Sequence, residues 1–484
     1  MRLVDAVTAR PIGLIIKGMR SAICILLAII GLVLSTAISQ GDDRPNVLMI
    51  SIDDLNDWVG CLGGHPDAIT PHLDALARSG RNFTNAHCSV PVCSPSRVSV
   101  ISGVAPTTSG SYELGPAYEK IPSLDSVPTM HAWFKENGYT TLTGGKILHH
   151  NFGGRLAADI DTFLTPSKKG GPRPESPINE KPPWDWGAFP ENDSEMFDHQ
   201  LAESAAAELG KEHGKPFFLS VGLFRPHVPM YVPQKWYDLY DPDKITMPNA
   251  DPADMEDIPD NFQYQMYVAP TLKEIQEKDQ WRSLVHAFLA NTSFVDHCLG
   301  MIMDGLANGP NKDNTIVVLW SDHGFHLGEK QKLAKRTLWE ESTRVPLIFA
   351  GPEISSGDCA EPASLLDIYP TLVDLAKLPE NEYLDGVSLA PQLKDPDTVR
   401  ERPALSSSYF GNHAVRSRDW RYIRYTDGAE ELYDHRSDPE ELTNLAGDPE
   451  YQSIIADHAR WIPKDAAPEV KPLETQEAYR AGRL

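Results

Sequence analysis

The chain has 484 residues and a formal charge of −24, from 44 Lys and Arg against 68 Asp and Glu. This excess of acid argues against nucleic acid or an anionic membrane surface as a partner, and an anionic substrate would need a locally basic pocket. The 41% hydrophobic content is that of a globular protein, and the length suggests roughly two or three domains.

In chain order the first feature is a leader. Arg2, Arg10, Lys17 and Arg20 precede SAICILLAIIGLVLSTAISQ, an apolar run closing on Ala37-Ile38-Ser39, the small-residue pattern of a cleavage site. Residues 1–39 are expected to be a secretory signal; the other reading is an uncleaved anchor, because the run is close to spanning length. Met19 offers a shorter start for the same signal. Cleavage would make the protein exported, periplasmic or secreted, with no stable membrane partner, since no later stretch is long and apolar enough to span.

Residues 40–395 read as the main domain. The apolar runs 46–51, 140–145, 217–222, 315–321 and 346–351 predict buried strands, and 71–80, 124–137, 196–213, 281–304 and 364–377 predict helices. Continuous apolar strands alternating with helices specify an α/β fold, a mostly parallel sheet covered on both faces. The aperiodic stretches 151–195 and 226–280 are expected to wall a pocket. Trp184 and Trp186, in the first of them, are available either to stack on sugar rings or to pack inside. Residues 396–484 predict a small antiparallel sheet with a turn at Asp427-Gly428, followed by a terminal helix.

The first strand runs into Asp53-Asp54 and the fourth into Asp322-His323. Ligands of an open parallel sheet gather outside the carboxyl ends of its strands, so both pairs are expected on one edge. Either pair alone reads equally as a turn or a helix cap. Together, three carboxylates and one imidazole favour a hard divalent cation, Ca²⁺ before Mg²⁺ or Mn²⁺.

Cys93 stands in PVCSPSR. Pro95 fits the first turn of a helix through SRVSVISG, whose unpaired N–H groups face residue 93, and Arg97 follows one turn later on the same face. Beyond the leader five cysteines remain, Cys61, Cys88, Cys93, Cys298 and Cys359. The odd count leaves one without a partner in an oxidising compartment, and the pairing of the other four is open. Soft sulfur is a poor neighbour for a hard cation. An oxygen at position 93 fits better.

Cys93-Ser94-Pro95-Ser96-Arg97 resembles the Cys-x-Pro-x-Arg signature of the type I sulfatases, and the resemblance extends over about residues 44 to 446. The RPHVP element is most similar to the iduronate-2-sulfatase branch. This resemblance implies an alkaline-phosphatase-like fold, a formylglycine made from Cys93 by a maturation enzyme, and one Ca²⁺ held by Asp53, Asp54, Asp322, His323 and the modified Cys93. It further implies catalytic roles for Arg97, Lys146, His149, His227 and Lys335. Lys332 competes with Lys335 and His150 with His149. His326 reads as a loop histidine, and His65, His87 and His131 receive no role.

The implied reaction is hydrolysis of sulfate esters. The hydrated aldehyde, held by Arg97, attacks sulfur, the lysines neutralise sulfate oxygens, His227 protonates the leaving alcohol, and His149 takes a proton as sulfate is expelled. The branch implies an exported, exo-acting enzyme on a sulfated oligosaccharide carrying a 2-O-sulfated uronic acid. Rival readings are an arylsulfatase, a phosphatase or phosphonate monoester hydrolase on the same fold, and a calcium-dependent glycan-binding protein. The site residues, rather than the fold, separate these readings.

Overall fold

The computed structural model describes residues 44–150, 152–166, 171–179, 183–259 and 270–470; the predicted leader lies outside them. At the centre is an eight-stranded sheet. Its strands are β1 (Asn46–Asp53), β2 (Arg81–Phe83), β3 (Thr140–Gly145), β4 (Thr162–Phe163), β5 (Phe217–Pro226), β6 (Thr315–Ser321), β7 (Leu347–Ala350) and β8 (Gly357–Cys359). The order across the sheet is β8-β2-β7-β6-β1-β5-β3-β4. Pairing is parallel except where β7 meets β6 and β2.

All eight residues of β1 are buried, as expected for a central strand covered on both faces. Alternate side chains feed opposite cores. Leu48, Ile50 and Ile52 pack with Leu219, Leu223 and Leu319 under α1 (Pro71–Ser79), α4 (Phe197–Leu209) and α5 (Trp281–Ala307). Val47 and Met49 pack with Phe218, Val318 and Trp320 under α2 (Cys93–Ser102), α3 (Met130–Glu136) and α6 (Ile368–Leu375). The result is the helix–sheet–helix sandwich that the apolar runs predict.

The structure moves several boundaries. The helix predicted at 124–137 begins only at Met130, with a separate 3-10 turn at Pro122–Leu124. Pro128 disfavours helix in the residue before it, and Thr129 caps the new start by accepting the Ala132 N–H at 3.0 Å. The helix predicted at 196–213 ends at Leu209, before Gly210. The short strands β2, β4 and β8 carry too few residues for a pattern to reveal them.

The C-terminal sheet is antiparallel: β9 (Ala404–Ser407), β10 (His413–Arg416), β11 (Trp420–Arg424) and β12 (Glu430–Asp434), followed by α7 (Gln452–Ala459). Gly428 turns the β11–β12 hairpin at φ 89°. One sheet face packs Val415, Tyr422 and Leu432 on Ile455 of α7. The other packs Ala414, Ile423 and Tyr433 on Leu338 and Trp339, the segment just beyond Lys335.

Candidate active site

Six chain segments deliver the site to the carboxyl edge of the main sheet. β1 and β6 are neighbours, so Asp53-Asp54 and Asp322-His323 emerge side by side, and the Asp54 N–H donates to Asp322 Oδ1 at 3.1 Å. Asp54 leaves the strand in the left-handed region, φ 62°, a conformation Asp tolerates better than most residues. β5 runs in register with β1 as far as Ile52–Leu223, then slips so that Asp53 faces Pro226. The bulge contains Phe224 and Arg225 and brings His227 to the edge. Lys146 follows β3, its N–H bound to Gly222 O at 2.8 Å.

Cys93 is the first residue of α2, where the positive end of the helix dipole lies. Its Sγ is 3.2 Å from His323 Nε2, 3.0 Å from Lys335 Nζ and 3.9 Å from Asp54 Oδ1, and His149 hydrogen-bonds the same side chain. Lys146 pairs with Asp53, and Lys335 with Asp54 Oδ1 at 2.5 Å. His323 Nε2 lies 3.3 Å from Asp54 Oδ1 and 3.5 Å from Asp322 Oδ2. His227 Nε2 reaches to 3.9 Å from Asp54 Oδ2, while its Nδ1 contacts Val228 O at 2.6 Å.

The electrostatics follow from this packing. Burial opposes ionisation of the Cys93 thiol, yet Lys146, Lys335 and His323 overcome it and hold the group well below the ordinary thiol range. Residue 93 therefore sits in a field made for negative charge. Burial pushes Asp322 up to about 6 against the pull of Arg97. Asp53 lies far below the usual carboxylate range, because Lys146, with other neighbouring charges, outweighs its burial.

Asp53, Cys93, Asp322 and His323 each offer one ligand atom, all within 4.8 Å of one another, and Asp54, Cys93 and His227 form an overlapping group. Asp54 Oδ2 is buried and accepts no hydrogen bond. Three carboxylates with an unsatisfied oxygen suit a divalent cation of the Ca²⁺ or Mg²⁺ class. The residues present fit such an ion.

Each sequence-predicted site residue arrives at this edge, but Arg97 faces elsewhere than expected. Its wholly buried guanidinium donates to Asp322 Oδ2 at 2.8 Å, Asp53 Oδ1 at 3.1 Å and Ser51 Oγ at 3.3 Å, and to the Lys146 carbonyl. It fixes the carboxylates from behind. Lys335, not Lys332, reaches Cys93, and His149 touches it while His150 is exposed.

The remaining candidates are structural. Trp186 is buried and donates to Ser283 Oγ at 3.0 Å; Trp184 packs against Phe325. His326 bonds Thr337 Oγ1 at 2.7 Å, His65 contacts Thr246 O at 2.9 Å, His87 contacts Asn85 Oδ1 at 2.8 Å, and His131 contacts Ser220 Oγ at 2.7 Å. Cys61, Cys88, Cys93, Cys298 and Cys359 are all free thiols. The odd cysteine count therefore did not mark Cys93, since none of the other four pairs.

Sequence reasoning missed Ser96, whose hydroxyl donates to Asp322 O at 2.5 Å, and Phe224, whose ring lies 4.8 Å from His227 and 5.1 Å from Lys146 Nζ. Phe224 was readable only as part of GLFRPHVPM.

The family model described as Sulfatase matches residues 45–378, and one described as N-sulphoglucosamine sulphohydrolase, C-terminal, matches residues 328–464. A sulfatase of Formosa agariphila is 37% identical over 446 residues, covering 88% of this chain and 87% of its own. A Delta 4,5-hexuronate-2-O-sulfatase of Bacteroides thetaiotaomicron is 30% identical over 455 residues, covering 88% and 90%. A 2-O GAG sulfatase of known structure superimposes with a TM-score of 0.63 at 25% identity, over 91% of this chain and 93% of its own. The architecture is alkaline-phosphatase-like and the enzyme class is that of the sulfuric ester hydrolases. The chain belongs to the sulfatase family.

Proposed function

We propose that this sulfatase is an exported, periplasmic or secreted enzyme that removes the ester sulfate from O2 of a uronic acid at the non-reducing end of a sulfated oligosaccharide. The observation carrying the reading is the Cys93 side chain, buried at a helix N-terminus among Lys335, His323 and His149 and beside three carboxylates. The 2-O-sulfatases among its relatives support the substrate class.

Asp53, Asp54, Asp322 and His323, with residue 93, would hold one Ca²⁺; when bound, the ion supplies positive charge to sulfate oxygens. Formylglycine made from Cys93 by a maturation enzyme supplies, as its hydrate, an oxygen to attack sulfur and a second hydroxyl whose proton loss releases sulfate and restores the aldehyde. The chain's own groups do the rest. Lys146 and Lys335 place ammonium charges where the sulfate oxygens gather, and fixed charges of this kind are usually the largest catalytic contribution. Arg97 keeps Asp53 and Asp322 in place. His149, in contact with residue 93, takes the proton of the second hydroxyl. His227, whose Nδ1 is engaged with Val228 O, presents Nε2 to protonate the departing sugar oxygen, a poor leaving group without it.

The test is a panel of defined substrates offered to matured, calcium-loaded protein. Sulfate release from 2-O-sulfated uronates well above release from aryl sulfates, 6-O-sulfated sugars or choline sulfate is expected. Preference for aryl sulfates would move the enzyme to the arylsulfatase side, and faster turnover of phosphate or phosphonate esters would overturn the sulfatase specificity.

A further inference from the structure

A second group of metal-ligating side chains lies where three elements meet: Asp193 in a 3-10 turn (Asp193–Glu195), His199 in the first turn of α4 and His297 in the middle of α5. Each offers one ligand atom, and the three atoms lie within 4.8 Å of one another. The imidazole rings stack with centroids 6.0 Å apart, and His199 Nδ1 is buried without a hydrogen-bond partner. The carboxylate is already oriented. Trp236 Nε1 donates to Asp193 Oδ1 at 2.8 Å, which turns Oδ2 toward the ammonium of Lys235. Glu203, one turn beyond His199, places Oε1 3.4 Å from His199 Nε2.

A third group, Glu340, His435 and Glu441, shows what separates a site from a joint. There Arg421, fully buried, pairs with both glutamates, and a buried guanidinium cannot leave without uncovering two carboxylates. At Asp193 the competing cation is Lys235, whose side chain is 60% exposed and can give up its place to an ion by moving into water at little cost.

We infer that Asp193, His199 and His297 form a second cation site, one that takes Zn²⁺, with Glu203 or a water as fourth ligand. Two imidazoles and one carboxylate are a borderline donor set that suits Zn²⁺ and not Ca²⁺, and a tetrahedral ion has room for a fourth oxygen. The Trp236 N–H is the outer hydrogen bond that zinc-bound carboxylates commonly receive. The ion ties α4 to α5 next to Asp198, whose carboxylate accepts the N–H groups of Phe224 and Arg225 at 2.9 Å each. It braces the bulge that leads to His227 and takes no part in the chemistry.

The experiment uses the calcium-loaded full chain equilibrated with buffered micromolar Zn²⁺, then metal analysis and X-ray absorption at the zinc edge. The wild type is expected to retain one zinc more than the double variant H199Q/H297Q, with a spectrum of two imidazole nitrogens and oxygen. W236F should keep the site with affinity lowered roughly tenfold to a hundredfold, the usual cost of losing an outer-shell partner. Equal zinc content in wild type and double variant would overturn the proposal. Should that variant not fold, the single variants H199Q and H297Q decide: each should take one imidazole nitrogen out of the zinc spectrum, and a wild type that retains no zinc, or a spectrum unchanged in both variants, overturns it.

Discussion

Glu340 and Glu441, beneath the C-terminal sheet, are enclosed by Arg416, Arg421 and His435, and each of their carboxylate oxygens has a partner; around Cys93 one carboxylate oxygen has none. In the first cluster Arg416 Nε lies 3.2 Å from Glu340, His435 Nε2 lies 3.0 Å from Glu441, Arg421 bonds both, and Glu441 also accepts the Glu340 N–H at 2.9 Å. In the second, Asp54 Oδ2 is left without a hydrogen bond and His227 stands off at 3.9 Å. Both clusters bury charge, which is costly unless compensated. A cluster whose carboxylates are all paired joins two layers of protein, whereas one with an unpaired carboxylate oxygen reserves its electrostatics for something that binds.

That contrast is open to mutation. Asp322→Asn in the active site should lower kcat/KM by at least about four orders of magnitude, because it weakens metal binding and the anchoring of Arg97 together; steady-state kinetics with added Ca²⁺ would show it, and full rescue by calcium would assign Asp322 to affinity alone. His227→Ala should cost roughly two to four orders of magnitude on a sugar sulfate and much less on an activated aryl sulfate. Equal losses on both would assign His227 to sulfate binding. Lys335→Ala should cost roughly two to three orders of magnitude in kcat with either leaving group, as expected for loss of one fixed charge at the transferring group. In the C-terminal cluster, Glu340→Ala should destabilise the fold by about 3–5 kcal/mol, since it leaves buried arginines short of a partner. Its activity per folded molecule at low temperature should stay at the wild-type level, as chemical denaturation and kinetics on one preparation would show.

The parts legible in the sequence were those whose pattern has one physical cause. Asn46–Asp53 and Thr315–Ser321 are continuously apolar because both of their faces are buried, so the sequence alone places the residues at their ends, Asp53, Asp54, Asp322 and His323, on one edge. Arg97 was harder. All ten residues of Cys93–Ser102 are buried, so helical spacing alone could not say which wall its guanidinium meets, and it met the carboxylates. Lys335 sits in a segment where Lys330, Gln331, Ala334 and Arg336 all have positive φ, conformations that spacing does not encode. They are held by tertiary bonds such as Arg336 to Glu113 at 2.7 Å and Lys330 to Asp254 at 2.7 Å. Trp184 and Trp186 shared the composition of a sugar platform with that of a core, and only the packing separated the two.

The central claim is that residue 93 acts as an oxygen nucleophile rather than as the thiol the gene encodes. It is tested most directly by preparing the protein with graded maturation, measuring the aldehyde fraction of the peptide spanning residue 93 by mass spectrometry, and measuring sulfate release from the same samples. Activity should rise in proportion to the aldehyde fraction and extrapolate to zero for the pure thiol; activity that is independent of that fraction, or retained by Cys93→Ala, would contradict it.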